Sequence, residues 1–300
     1  MPFLLNWLES ISIGIKVTKK CARQLIQHSD CSYCIEECKL EAITINDNMI
    51  VIDSNKCTLC GECVAACPLS ALEGLGPQRT FEQHQLLYNE SYTPTVKELL
   101  IYKKRGINSV HVMQATLNHY WLQTIKNTNF QLSILGEKPI EIVFIPFEEK
   151  LTRRKLFITV QKESRQLVKN LTPTAWRIIG NEWNLKEYYP DFQFYSVDIN
   201  QTKCTFCQAC FTLCPEEVFE LKESAIKIES ERCVNCKVCI DICPEQAIQI
   251  NNCLKEKVET FLAFELKVCK TCGKTFQRFC REKENCHICH NRDEEWLSPY

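Results

Sequence analysis

The chain has 300 residues, 45% of them hydrophobic and 24% charged, enough for roughly two domains of ordinary size. Its 36 basic and 37 acidic side chains leave a formal net charge of -1, so no global field recruits nucleic acid or an anionic membrane. Cysteine is the outlier at 22 residues. Short spacing, chain length and the lack of an export-signal pattern favour metal ligation in a reducing, cytoplasmic setting over a disulfide framework.

Taken in chain order, segment 1–15 carries Phe3, Leu4, Leu5, Trp7, Leu8, Ile11, Ile13 and Ile15, interrupted by Glu9. Lys16, Lys19 and Lys20 follow this apolar part, the reverse of an export signal, so a docking helix is expected there. Residues 16–80 form a cysteine-rich module. Cys31, Cys34 and Cys38 come first, then Cys57-Thr-Leu-Cys60-Gly-Glu-Cys63-Val-Ala-Ala-Cys67-Pro68, a C-x2-C-x2-C-x3-C run closed by proline. Between the two groups, Ile43–Ile45 and Met49–Ile52 alternate as a short β-hairpin would.

Residues 81–199 contain no cysteine and are too long and too apolar for a linker, so a small α/β middle domain is expected as a spacer or docking element. Thr93-Pro94 predicts the start of a helix carrying Val96, Leu99, Leu100 and Tyr102, with Gly106 closing it. Ile107–Met113 reads as a strand, Leu117–Ile125 as a helix and Ile140–Pro146 as another strand. Thr152-Arg153-Arg154-Lys155-Leu156-Phe157 has the form of a twin-arginine motif but stands mid-chain without an apolar region behind it. His111 and His119 read as ordinary histidines, and Trp176 and Trp183 as packing residues. No stretch approaches the roughly 20 apolar residues of a membrane span.

Residues 200–252 repeat the first module. Cys31, Cys34, Cys38, Cys57, Cys60, Cys63 and Cys67 map at a constant shift of 176 onto Cys207, Cys210, Cys214, Cys233, Cys236, Cys239 and Cys243. The eighth cysteine of this copy, Cys204, maps onto His28. Phe219–Leu221 and Ala225–Ile228 supply the second hairpin, and Ala42-Ile43, Ala71-Leu72, Val218-Phe219 and Ala247-Ile248 follow the last cysteine of each run. Those apolar pairs are placed to cover whatever the cysteines hold.

These paired runs resemble the bacterial two-cluster ferredoxins, in which three cysteines of one run and the last cysteine of the other hold each [4Fe–4S] cubane. The resemblance implies one cluster on Cys204, Cys207, Cys210 and Cys243, and another on Cys233, Cys236, Cys239 and Cys214. It implies a third on Cys57, Cys60, Cys63 and Cys38. The fourth set, Cys31, Cys34 and Cys67, is one ligand short. Cys21, ten residues before Cys31, resembles the displaced first cysteine of multi-cluster ferredoxin-like proteins and is the expected fourth ligand. His28 and a three-cysteine [3Fe–4S] site are the alternatives. Zinc at all four sites would require ligand patterns that zinc rarely uses.

In the tail, 253–300, Cys269-Lys-Thr-Cys272-Gly273 and Cys286-His-Ile-Cys289 make two C-x2-C knuckles with 13 residues between them. That arrangement reads as a zinc ribbon holding one Zn2+, with a rubredoxin-like iron site or a further Fe–S cluster using Cys280 as rivals. Cys253 and Cys280 are left unassigned and read as buried apolar thiols, with redox-active thiols as the alternative.

The fold class expected is therefore α+β: two ferredoxin-like dicluster modules, a small α/β domain between them and a C-terminal ribbon. The resemblance implies electron transfer through four [4Fe–4S] clusters between a low-potential donor and a partner oxidoreductase. No catalytic residues, nucleotide loop or small-molecule pocket signature accompanies them, so enzymatic chemistry falls to protein partners. An iron–sulfur sensor or maturation factor is the alternative reading.

Overall fold

The computed structural model describes residues 14–74, 76–113, 116–145, 176, 178, 180–279 and 281–290. The expected docking helix, the Thr152–Phe157 run and Cys280 lie outside them. Short helices and small sheets alternate, an α+β chain that divides into two compact units. One comprises Met1–Thr18, Tyr33–Thr44 and Val51–Tyr188, and the other Lys19–Ser32, Ile45–Ile50 and Tyr189–Tyr300.

In the first unit, strand Lys16–Val17 pairs antiparallel with Leu72–Glu73, closing the ends of the first cysteine module on each other. Helix α1 (Glu62–Ala66) follows the Cys57–Cys60 loop. Beyond it, β1 (Phe81–Glu82), β2 (Gln85–Leu87), β3 (Ser109–Val112) and β4 (Glu141–Phe144) form one sheet in that order. The last three strands run parallel, each joined to the next by a helix, as a parallel pair requires.

The first connecting helix, α2, spans Val96–Lys104. Its cap is Thr95, whose Oγ1 accepts the Glu98 N–H at 3.2 Å, so the helix begins two residues later than Thr93-Pro94 suggests. The second, α3, spans His119–Ile134, with Asn118 Oδ1 accepting the Trp121 N–H at 2.9 Å. It continues past Ile125 because Thr128 and Leu132 keep its buried face going for two more turns. Leu86, Leu99, Leu100, Ile101, Val110, Val112 and Leu132 are fully enclosed around this layer. Trp176 stacks on Phe81 with ring centroids 5.1 Å apart. Trp183 is buried over Gly76, where a Cβ would stand 2.7 Å from the indole, so only glycine fits. Both tryptophans pack.

In the second unit, β5 (Phe192–Ile199) pairs antiparallel with β8 (Ile248–Glu256), bringing the two ends of the second module together as the short strands do in the first. Strands β6 (Phe219–Leu221), β7 (Ala225–Glu229) and β9 (Glu259–Ala263) make a three-stranded antiparallel sheet. Helices α4 (Ala209–Leu213) and α5 (Val238–Asp241) each follow a cysteine loop. The core of Val197, Ile199, Phe206, Val218, Phe219, Ile226, Ile228, Cys239 and Ile248 has Cys204, Cys210, Cys214, Cys233 and Cys243 packed directly against it. In the tail, β10 (Glu265–Val268) and β11 (Thr275–Arg278) form a hairpin, and α6 (His287–His290) carries the last knuckle. Its small core is Cys269, Phe276, Cys286 and Cys289, so three of the four buried residues are expected metal ligands.

Candidate metal centre

A C-x2-C-x2-C loop must turn sharply enough to point three sulfurs inward, and the backbone shows how. Leu59 and Gly61 flank Cys60 with φ of 57° and 82°, Phe206 and Gln208 flank Cys207 with 59° and 63°, and Asn235 and Lys237 flank Cys236 with 57° and 64°. All lie in the left-handed region, which costs a residue with a Cβ roughly 1–2 kcal/mol. The corner after each run's last cysteine is left-handed as well: Glu41 and Glu217 at 50°, Ser70 and Gln246 at 48°. Asp30 and Ser32, which flank Cys31, are not in this region. Three loops thus share one backbone shape and the fourth does not.

Two expected ligand sets converge in the structure. Cys38, Cys57, Cys60 and Cys63 line a cavity of about 390 Å³ whose walls include Ala42, Ile43, Ile52 and Glu62. Cys214, Cys233, Cys236 and Cys239 line a pocket with Val197, Val218, Phe219, Ile250 and Glu216. In both, the apolar pair after the last cysteine forms a wall. Cys204, Cys207, Cys210 and Cys243 stand near enough for each thiol to bear on the ionisation of Cys210.

Backbone donors already point at sulfur. Ala42, Ala71 and Ala247 N–H groups donate to the Sγ of Cys38, Cys67 and Cys243 at 3.3, 3.2 and 3.3 Å, and Asn235 N–H donates to Cys233 Sγ at 3.4 Å. Such bonds stabilise thiolates and tune a bound cluster. Burial, reinforced by neighbouring cysteines, pushes the Cys63, Cys210 and Cys236 thiols up to about 12 and Cys233 to about 11. A protein-only pocket would therefore hold neutral thiols at pH 7, and iron must displace their protons. Converging cysteines, apolar pairs in the pocket walls and N–H donors on sulfur fit a cubane.

The irregular set is divided between the units. Cys34 and Cys67 belong to the first, and Cys21 and Cys31 to the second. Cys21 precedes the short helix Ala22–Leu25 and is half-buried, whereas His28 is exposed. Arg23 Nε donates to the Cys31 carbonyl at 2.8 Å and Arg23 Nη1 to Asn48 Oδ1 at 2.7 Å. Asn48 Nδ2 in turn donates to the Arg23 and Ile26 carbonyls at 3.2 and 3.4 Å. Side chains here hold what the backbone holds elsewhere. Cys31 N–H donates to Ser29 Oγ at 3.3 Å, and Ser29 Oγ donates to Asp241 Oδ2 at 2.9 Å, with Asp30 N–H reaching the same carboxylate oxygen at 3.1 Å. Asp241 lies on α5 between Cys239 and Cys243, so the Cys31 loop is tied to the second module.

In the tail, the sulfurs of Cys269, Cys272, Cys286 and Cys289 all lie within 4.8 Å of one another, and those of Cys272 and Cys286 are 3.8 Å apart. Four thiolates at a Zn–S distance of about 2.3 Å would stand about 3.8 Å apart. The N–H groups of Cys286, Cys272 and Thr271 bring the Cys269 thiol down to about 6, that of Cys286 lying 3.4 Å from Cys269 Sγ. Burial pushes Cys289 up to about 12. His287 and His290 are not in this group, and Cys253 sits half-buried on β8.

Sequence reasoning did not find Ser29, Asp241 or two lysines beside the cysteine loops. Lys97 Nζ donates to the Ala65 carbonyl at 2.8 Å, with burial lowering its ammonium to about 8 against the opposing influence of Cys67. Lys283 Nζ donates to the carbonyls of Lys203 and Cys204 at 2.9 and 2.8 Å. None stands in a motif, since each partner is remote in the chain.

Residues 196–244 match the family model of a 4Fe-4S dicluster domain, and residues 50–73 that of a 4Fe-4S binding domain. Over 43 residues the chain is 46% identical to a protein of Methanosarcina acetivorans named as a subunit of an ion-translocating oxidoreductase complex. That stretch is 14% of this chain and spans only 16% of that relative's length. The matched family segments contain Cys57–Cys67 and Cys204–Cys243, while Cys21, Cys31, Cys34 and Cys38 lie outside them.

Proposed function

We propose that this 4Fe-4S ferredoxin-like protein passes single electrons through four [4Fe–4S] clusters, from a low-potential protein donor to a partner oxidoreductase. The observation that carries the proposal is the convergence of Cys38, Cys57, Cys60 and Cys63 on one cavity and Cys214, Cys233, Cys236 and Cys239 on another. In each set, three cysteines of one run meet the last cysteine of the other. Cys204, Cys207, Cys210 and Cys243 would hold the third cluster, and Cys21, Cys31, Cys34 and Cys67 the fourth.

When bound, the clusters supply reversible one-electron chemistry. The chain's own residues do the rest. Ala42, Ala71 and Ala247 N–H groups bear on sulfur and favour the more negative, reduced state. Apolar pairs such as Val218-Phe219 exclude water from the pocket wall. The relative's name refers to an oxidoreductase complex, which is consistent with protein partners for this chain. The four tail cysteines suit one zinc ion in a structural role, since no open position remains in a four-thiolate set. Among the described residues no helix is long and apolar enough to cross a membrane.

The test is anaerobic reconstitution of the full chain followed by iron, sulfide and zinc analysis, and a redox titration followed by electron paramagnetic resonance. Four reducible clusters at four iron and four sulfide each, with one zinc, are expected. Fewer than four reducible clusters would overturn the reading.

A further inference from the structure

The tail does not stand apart from the second module. Within that unit, Phe279 lies against Phe206 with ring centroids 4.4 Å apart, and Phe206 is the left-handed residue between Cys204 and Cys207. Phe264 meets the same ring edge-on at 5.2 Å. Gln208 Nε2, on the other side of Cys207, donates to Gln277 Oε1 of β11 at 3.3 Å. Lys283, between the two metal knuckles, donates to the Cys204 and Lys203 carbonyls at 2.8 and 2.9 Å. Its own backbone carbonyl accepts from Arg278 Nη1 at 3.0 Å, which fixes the segment leading into the second knuckle.

Two effects follow. Aromatic side chains cover the Cys204–Cys207 turn and keep water from it. The Lys283 ammonium is held beside the loop, where a positive charge favours the reduced form of any cluster formed there. The other pocket of the module receives the opposite charge, since Glu216 is among its lining residues. The shift of 176 places no counterpart of Lys283 in the first module, whose corresponding position is 107, an isoleucine in the parallel sheet region.

We propose that the C-terminal ribbon is a cap on the Cys204–Cys207–Cys210 loop, and that Lys283 is a positioning residue raising the reduction potential of the cluster bound there above that of its Cys233–Cys236–Cys239 neighbour. This rests on the reading that both sets carry clusters. It gives the ribbon a part in the redox chemistry, since electrons reaching the second module collect on the capped cluster, shielded by Phe279 and Phe264. Lys283 lies between the two cysteine knuckles, and Arg278 Nη1 holds its carbonyl.

The test uses the full chain, reconstituted anaerobically, with midpoints taken from the resonance signals. In Lys283→Gln one midpoint falls, changing the electron partition between the second module's clusters by threefold or more, about 28 mV at 59 mV per decade. The other midpoints stay fixed and Lys283→Arg restores the first. The affected signal is the one altered in Cys204→Ser. Phe279→Ala and Cys286→Ser, which loosen the cap by different routes, make the same cluster the first to be bleached by air. A lysine that only braced the loop would lower thermal stability without moving a midpoint. Unmoved midpoints, or four that move together, would overturn the proposal. Loss of the clusters from the wild-type chain would overturn the electron-transfer reading instead, and iron and sulfide content separates the two failures.

Discussion

The first cysteine run and its three counterparts solve one problem by different means. In the three regular loops the main chain itself bends, through left-handed residues on both sides of Cys60, Cys207 and Cys236. Around Cys31 the backbone stays in ordinary regions, and Arg23, Asn48 and Ser29 hold the segment by side-chain hydrogen bonds. A loop fixed by its own backbone resists single substitutions. One fixed by side chains depends on each of them, and it also acquires an outside contact, because Ser29 reaches Asp241 on the second module. The irregular run is thus both the least self-sufficient and the one joined to its sister copy.

Removing iron and sulfide should strain both kinds of loop most. The second module packs five cysteines against its core, so chelation should abolish hydrogen-exchange protection across 196–250. Protection in α2, α3 and the parallel sheet should persist, since those elements enclose their own apolar core without cysteine. Next in size, Cys21→Ser should reduce the iron content by one atom or one cluster and produce a three-iron signal or loss of one signal. His28→Gln should leave iron content and spectra unchanged, as suits an exposed side chain.

Ser29→Ala removes a hydrogen bond to a carboxylate and should cost about 1.5–3 kcal/mol in the unfolding of the second module, followed by its thermal transition. The smallest effects concern the corners. Gly61→Ala should destabilise the first module by about 1–2 kcal/mol, whereas Lys237→Gly at the matching place should stabilise the second by up to about 1 kcal/mol. Equal effects of the two changes, read by calorimetry, would mean that the two loops do not share one shape.

The repeat, the hairpins and the apolar pairs were readable because each is set by neighbours in the chain. Cys57 to Cys67 and their copies announce a loop by spacing alone, and Ile43–Ile45 with Met49–Ile52 announce a hairpin by alternation. The start of α2 falls two residues beyond its expected place because Thr93 and Thr95 are both capping residues, and only the Glu98 N–H chooses between them. Its neighbour α3 outruns its expected end because burial of Thr128 and Leu132, set by tertiary packing, carries the helix through residues of modest helix propensity. Contacts such as Ser29–Asp241 and Lys283–Cys204 join residues 212 and 79 positions apart, and no local pattern encodes them.

The proposal of four cubanes, three on regular loops and one on the irregular run, is best tested by Mössbauer spectroscopy of the full chain reconstituted anaerobically with 57Fe. Essentially all iron should appear as [4Fe–4S] at four clusters per chain, with zinc confined to one site, and Cys21→Ser should change one quarter of the iron signal. Iron amounting to three clusters in the wild-type chain, or a spectrum indifferent to Cys21, would refute the fourth cluster and the role given to the irregular run.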